Sequence, residues 1–282
     1  MIVALVLVSA FLHALWNALL RVEPDKDRGL VGAITMASLF ACVIAAVRWG
    51  LGEVPFGTGE SVWWTIVAGV FEAVYFMTLA KALELGRLGA VYTVSRGGAI
   101  LVVWPLSILW FSEVVTFAST LGSITVLAGL ALSSLGSTTG GNRDHRAGIL
   151  WAAACAASIA GYHLAYKAAL LAGGNPSASF AISLSLAAVI SIVRIGGDGR
   201  RILVDVVKAR WWRVGLMGVV CSGSFLILME ALARGGSGYV LTLRNTSVLF
   251  AAALAFMIGE RPRRSELVGA ALVAAGATLM TL

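Results

Sequence analysis

The sequence predicts an all-α membrane protein whose ten transmembrane helices form two inverted five-helix repeats. Three observations predict it. The 282 residues are 59% hydrophobic and only 12% charged, with a mean hydropathy of +0.92, whereas a soluble domain holds about 25% charged residues. Apolar runs of about 20 residues, the length that crosses a bilayer, recur ten times. The second half of the chain also repeats the first.

The runs cover residues 2–20, 29–48, 62–84, 88–111, 117–137, 147–171, 177–196, 213–233, 238–259 and 265–282. The first starts at Met1 without a basic segment and passes Trp16 into Arg21 with no small-residue cleavage site, so it reads as a span and not as a leader. Short gaps rich in Gly, Pro, Asp, Glu and Arg separate most runs. The longer connection from Gly196 to Arg213 sets Arg200, Arg201, Lys208 and Arg210 around Ile202, Leu203, Val206 and Val207. That pattern suits a short helix lying in the membrane interface, with a basic loop as the alternative. Trp211 and Trp212 would then anchor at headgroup depth.

The repeat is visible residue by residue. Gly89, Val91 and Thr93 match Gly238, Val240 and Thr242, and Glu113 matches Glu260. Trp63-Trp64 opens the third run as Trp211-Trp212 opens the eighth, and Ala82-Leu83 matches Ala231-Leu232. Gly122 and Gly129 match Gly269 and Gly276, while Trp16, Asn17 and Arg21 match Tyr162, His163 and Lys167. The halves are 1–139 and 146–282. Five runs in each is an odd number, so the second half enters the bilayer from the opposite side. Secondary transporters commonly have this design, with a substrate site near the midplane between the halves.

This pattern resembles the drug/metabolite transporter superfamily in its ten-helix EamA-type branch. The resemblance rests on His13-Ala-Leu-Trp16-Asn17 with Arg21, on Pro105 in the fourth run, on Glu113 and Glu260, and on the Gly-rich fifth and tenth runs. It covers essentially the whole chain. It implies a bundle whose third, fourth, eighth and ninth helices line a central cavity, and movement of small metabolites by alternating access. Pro105 departs from the symmetry, since Ala252 stands at its repeat position.

The net charge of +7 does not mark nucleic-acid binding, because the basic residues lie scattered in short gaps and form no domain. The gaps after odd-numbered runs hold nearly all the extramembrane Lys and Arg; the other side, both termini included, holds only Arg48 and Arg234. The positive-inside rule therefore puts the termini outside, while the resemblance puts them inside. Cys42, Cys155 and Cys221 lie in apolar runs without metal-ligand spacing, so they read as small buried hydrophobes. No cofactor, metal or catalytic set is expected.

Ionisable residues inside the runs mark the candidate site, since a charge at a helix centre costs about 2.5–3.5 kcal/mol and is kept for function. Arg96 and Arg244 suit recognition of a carboxylate or phosphate through paired hydrogen bonds; pairing with Glu72 or with carbonyl groups is the plain alternative. Glu72, with Tyr75 one turn on, is the candidate for proton coupling, because an apolar setting disfavours the charged carboxylate. His13, Trp16 and Asn17 from the first run and Tyr162, His163 and Tyr166 from the sixth form matching stripes that would line the cavity or bond helix to helix. Asn245, Ser222 and Ser224 are further lining candidates. Lys81 and Glu230 occupy equivalent repeat positions and should lie near opposite faces, unpaired with each other. Glu260 ends its helix, where a carboxylate needs a cationic partner; the adjacent Arg261 or Arg263 would serve.

The expected function is secondary active transport of a small polar metabolite, an amino acid or an organic anion, as proton-coupled export across the cell inner membrane. The same fold would also suit a multidrug exporter. A membrane-embedded enzyme acting on a lipid-linked substrate is the alternative from another class, but the sequence holds no phosphate loop, metal cluster or Ser/His/Asp set to support it. The expected partners are the lipid bilayer, a small-molecule substrate and a proton, with the chain a monomer or homodimer.

Overall fold

The computed structural model describes residues 2–111, 116–138, 143–234, 237–260 and 263–279. Their regular structure is helical apart from one isolated bridge between Phe56 and Gly174. The helices are α1 (Ile2–Arg21), α2 (Lys26–Gly50), α3 (Gly59–Leu85), α4 (Leu88–Phe111), α5 (Phe117–Thr138), α6 (Arg143–Leu171), α7 (Pro176–Arg194), α8 (Gly196–Ala209), α9 (Trp211–Arg234), α10 (Ser237–Arg244), α11 (Ser247–Met257) and α12 (Arg264–Leu279). Among the described residues seven helices, α1–α4, α6, α7 and α9, are long and apolar enough to cross a membrane.

Local chemistry explains where the helices begin and end. Asp25 accepts from the Arg28 amide at 3.1 Å to start α2, and Thr58 accepts from Ser61 at 3.1 Å to start α3. Asn175 caps α7 ahead of Pro176, whose fixed φ suits the first helical position. Gly52 and Gly259 take positive φ, 96° and 86°, a conformation that ends helices and favours glycine. The next residue in each case, Glu53 or Glu260, returns its amide to a carbonyl five residues back (Arg48 or Ala255). Each of these turns aims a carboxylate back across the helix end.

Three sequence expectations change here. Cys42, read as a small buried hydrophobe, is exposed on α2. The run 238–259 is broken: the helix stops at Arg244, turns through Asn245 and Thr246, and restarts at Ser247. The Thr246 hydroxyl donates to the Leu243 carbonyl at 2.7 Å, the side-chain competition with the helical ladder that Asn, Thr and Ser introduce. The partner described for Glu260 is Arg21, 239 positions away, at 2.6 Å, with the Leu88 amide at 3.0 Å on the other oxygen. The neighbouring Arg261 and the whole of Glu113 lie outside the described residues.

Small residues let the helices close on one another. A Cβ on Gly129 would lie 2.7 Å from the Gly269 carbonyl oxygen, and one on Gly276 would lie 2.6 Å from that of Gly122. The four glycines thus join α5 to α12 within the chain. Helix α3 packs on α6 and α7, α9 packs on α1 and α2, and α2 also packs on α7. Helix α8 lies against α2, where Gly32 leaves room for Leu203, Val207 and Val214. Buried Glu23 receives Arg210 at 2.9 Å and Arg213 at 3.2 Å, while Trp211 and Trp212 stay exposed. Lys81 pairs with Glu84 and Glu230 with Arg48 and Arg234.

Candidate functional site

The centre of the bundle is polar, and it is built around His13. Helix α1 carries His13, Trp16 and Asn17 on one face. All three are fully buried, with Tyr92 of α4 and Phe225 of α9 set against His13 and Phe76 of α3 against Trp16. The Trp16 indole donates to His13 Nδ1 at 3.2 Å, and the Asn17 amide donates to the His13 carbonyl at 2.7 Å. From α4, Arg96 brings Nη2 onto His13 Nε2. From the end of α10, Arg244 brings Nη2 to 3.0 Å from His13 Nδ1 and to 3.3 Å from the Ser224 hydroxyl.

Backbone and rings hold these groups in place. Ser9 and Ser224 exchange hydroxyl-to-carbonyl bonds of 2.6 and 2.9 Å between α1 and α9. The Arg244 guanidinium lies 4.7 Å over the Phe225 ring, and that of Arg96 lies 5.8 Å from Tyr92, contacts in which a ring face offsets part of a buried cation's lost hydration. Arg96 and Arg244 are 4% and 1% exposed, yet among the described residues neither contacts a carboxylate. Together with His163 and Asn245 they wall a cavity of about 10 Å³, near the lower limit for one water.

Glu72 sits in a second polar cluster. Its Oε2 accepts from Ser183 at 3.2 Å, and the Ser183 hydroxyl also meets that of Tyr166. Its Oε1 has no hydrogen-bond partner among the described residues. Arg96, one of the partners the sequence allowed for Glu72, is instead bound to His13, and Arg244 acts on the carboxyl only through space. Tyr75 and Tyr162, with ring centres 5.4 Å apart, stand beside the two clusters; Tyr162 also lies tilted against His163 at 4.5 Å and edge-on to Tyr166 at 5.9 Å.

The structure therefore buries all thirteen candidates, Ser222 and Ser224 included, but divides them. His13, Trp16, Asn17, Arg96, Arg244, Asn245 and His163 gather around one centre, and Glu72 and Tyr166 around another. Sequence reasoning passed over Ser183, Ser9 and Tyr92. Tyr92 was within reach, because it lies one helical turn before Arg96. Ser183 had no such signal in its serine-dotted run. Among the described residues there is no cluster of His, Cys, Asp and Glu able to hold a metal ion.

Residues 146–282 match the family model described as the EamA-like transporter family. No curated protein matches the sequence significantly. One solved structure, titled only as the crystal structure of a protein, has a TM-score of 0.67 and 18% identity, covering 99% of this chain and 95% of its own. That is a likeness of fold.

Proposed function

We propose, from the match of residues 146–282 to the EamA-like transporter family, which belongs to the drug/metabolite transporter superfamily, that the whole chain is a secondary transporter that moves a small polar metabolite bearing an anionic group, an amino acid or an organic anion, by proton-coupled alternating access. One observation carries the reading: two buried guanidinium groups converge on one histidine with no carboxylate between them. Uncompensated buried charge is costly, and inside a membrane it marks a substrate or ion pathway.

The proposed architecture is ten spans in two inverted repeats, with α10 and α11 making one broken span. Contacts that survive exchange of the halves support it. Gly69 faces the Ser183 carbonyl oxygen, and its repeat mate Gly218 faces that of Ala33. Arg21 donates to the Leu83 carbonyl at 2.9 Å, and Lys167 donates to that of Leu232 at 3.5 Å. The pairs Gly122 with Gly276 and Gly129 with Gly269 map onto each other.

A 10 Å³ cavity admits no metabolite, and in this reading the structure is the closed state of the cycle. Substrate entry then requires the halves to part, as alternating access supposes. Glu72 is the proposed proton carrier. A carboxyl with one oxygen unpartnered, beside a hydroxyl pair and away from the arginine centre, can change protonation without breaking an ion pair.

Proteoliposomes of the full chain, in the cell inner-membrane lipids proposed as its home, test this with an internal pH-sensitive dye and a panel of succinate, glutamate and inorganic phosphate. At least one of these should dissipate an imposed proton gradient, and Arg96→Ala should abolish that. Glu72→Gln should lose pH-driven uptake yet retain exchange of labelled substrate. Failure of every panel member to cross would sink the reading, and undiminished pH-driven uptake in Glu72→Gln would remove the proton role.

A further inference from the structure

His13 is fully buried, and among the described residues every group that reaches its ring nitrogens is a donor. Nδ1 meets the Trp16 indole N–H at 3.2 Å and Arg244 Nη2 at 3.0 Å, and Nε2 meets Arg96 Nη2. Indole and guanidinium nitrogens have no lone pair to offer. A neutral imidazole has one lone pair and one N–H, so it accepts on one side only. With the proton on Nε2 the ring accepts from Trp16 and Arg244, but its N–H points at Arg96. With the proton on Nδ1 it accepts from Arg96, but its N–H points at Trp16 and Arg244. A doubly protonated ring is worse on both sides. In every protonation state at least one arginine contact sets donor against donor.

Donors without partners also stand at the cavity. Arg244 Nε and Nη1 and Asn245 Nδ2 are buried without hydrogen-bond partners among the described residues. The polar residues on the cavity wall are Arg96, Arg244, Asn245 and His163, with no carboxylate. The unpartnered oxygens of Glu72 and Asn17 belong to residues outside that wall. Leaving buried donors unpaired costs more than forming their bonds returns. The arrangement therefore calls for an occupant made of acceptors.

We infer that His13 is a third ligand of the carried anion: when the bundle opens, a carboxylate or phosphate group enters between Arg96 and Arg244 and takes the imidazole N–H that the closed bundle leaves facing donors, so the recognised head group is an acceptor-only anion and not a zwitterion or a cation. This rests on the reading of Arg96 and Arg244 as the anion site and adds to it a residue and a choice. Of the two substrate classes considered above, the organic anion fits, because the wall carries two guanidinium groups and no carboxylate to meet the ammonium of an amino acid.

The test uses the purified full chain in detergent at low chloride, with calorimetric titration of succinate, inorganic phosphate, chloride, neutral succinamide, zwitterionic glycine and cationic putrescine. Succinate or phosphate should bind, and succinamide, glycine and putrescine should not. His13→Leu should weaken binding about ten- to a hundredfold, the effect of losing one hydrogen bond to a charged group. His13→Asn, which keeps a donor N–H, should recover most of it. In the wild type labelled with ¹⁵N-histidine, the His13 N–H signal should shift on titration with succinate or phosphate, a readout that survives if His13→Leu does not fold.

The alternatives are separable. Unchanged affinity in His13→Leu, or a His13 signal that stays fixed during binding, removes His13 from the ligand set while loss of binding in Arg96→Ala upholds the arginine site. Glycine or putrescine binding as tightly as succinate overturns the acceptor-only head group. Chloride alone binding overturns the organic-anion assignment. If nothing in the panel binds, both the arginine site and the role of His13 fall.

Discussion

Arginine serves two purposes in this molecule, one at the ends of the bundle and one at its centre. At the ends each described ion pair closes on a carboxylate. Arg21 meets Glu260 at 2.6 Å, Arg48 meets Glu53 at 2.9 Å and also Glu230, and Arg87 meets Glu266 at 3.3 Å. Arg210 and Arg213 share buried Glu23. At the centre Arg96 and Arg244 share a histidine that cannot accept from both. The end arginines fasten helices from distant parts of the chain. Among the described residues the central pair makes no ion pair with a carboxylate, and a buried cation left so is the mark of a binding site rather than of a fastening.

The sharpest way to break this contrast is to remove one arginine of each kind and watch the sign. Arg244→Met replaces an uncompensated buried cation with an apolar chain and should raise stability by about 1–4 kcal/mol, with anion binding lost. Arg21→Met strands Glu260 and frees the Leu83 carbonyl, and should lower stability by about 2 kcal/mol, less than for a fully buried pair because both side chains are partly exposed. Thermal unfolding in detergent reads both, and equal losses in the two variants would erase the distinction.

A smaller effect tests how closely the proposed halves are joined. Gly129→Ala puts a methyl group 2.7 Å from the Gly269 carbonyl oxygen, and the helices must separate at a cost of about 1–2 kcal/mol. An unchanged unfolding temperature would mean that α5 and α12 do not pack so tightly. The smallest effect concerns Glu53, whose carboxyl is held below the ordinary carboxylate range first by Arg48 and then by Asn175. A group shifted downward contributes its full stability above its unfolded pKa and loses it as pH falls through the folded one. Glu53→Gln should therefore flatten the loss of stability on acidification below about pH 4.5, read from melting curves across that range. Parallel curves for variant and wild type would show the tie to be inert.

Much of this was legible in the sequence, because the bilayer imposes it. An apolar run of some 20 residues must hydrogen-bond internally and so becomes a helix, and a buried Arg96, Arg244 or Glu72 announces itself against such a background. The partners were not legible. The position of Glu72 about ten residues into the third run suggests a place near the midplane but says nothing of Ser183, 111 positions on, nor of Arg21 closing on Glu260 across nearly the whole chain. The break after Arg244 was written in Asn245-Thr246-Ser247, three side chains that compete with the helical ladder. Hydropathy alone passes over it, because Val248 to Met257 restore the apolar run.

The smallness of the central cavity has a consequence for the charges around it. A void with room for about one water gives the guanidinium groups of Arg96 and Arg244 no more than a fragment of a hydration shell. Whatever enters between them must supply from its own atoms the contacts that bulk solvent would otherwise provide.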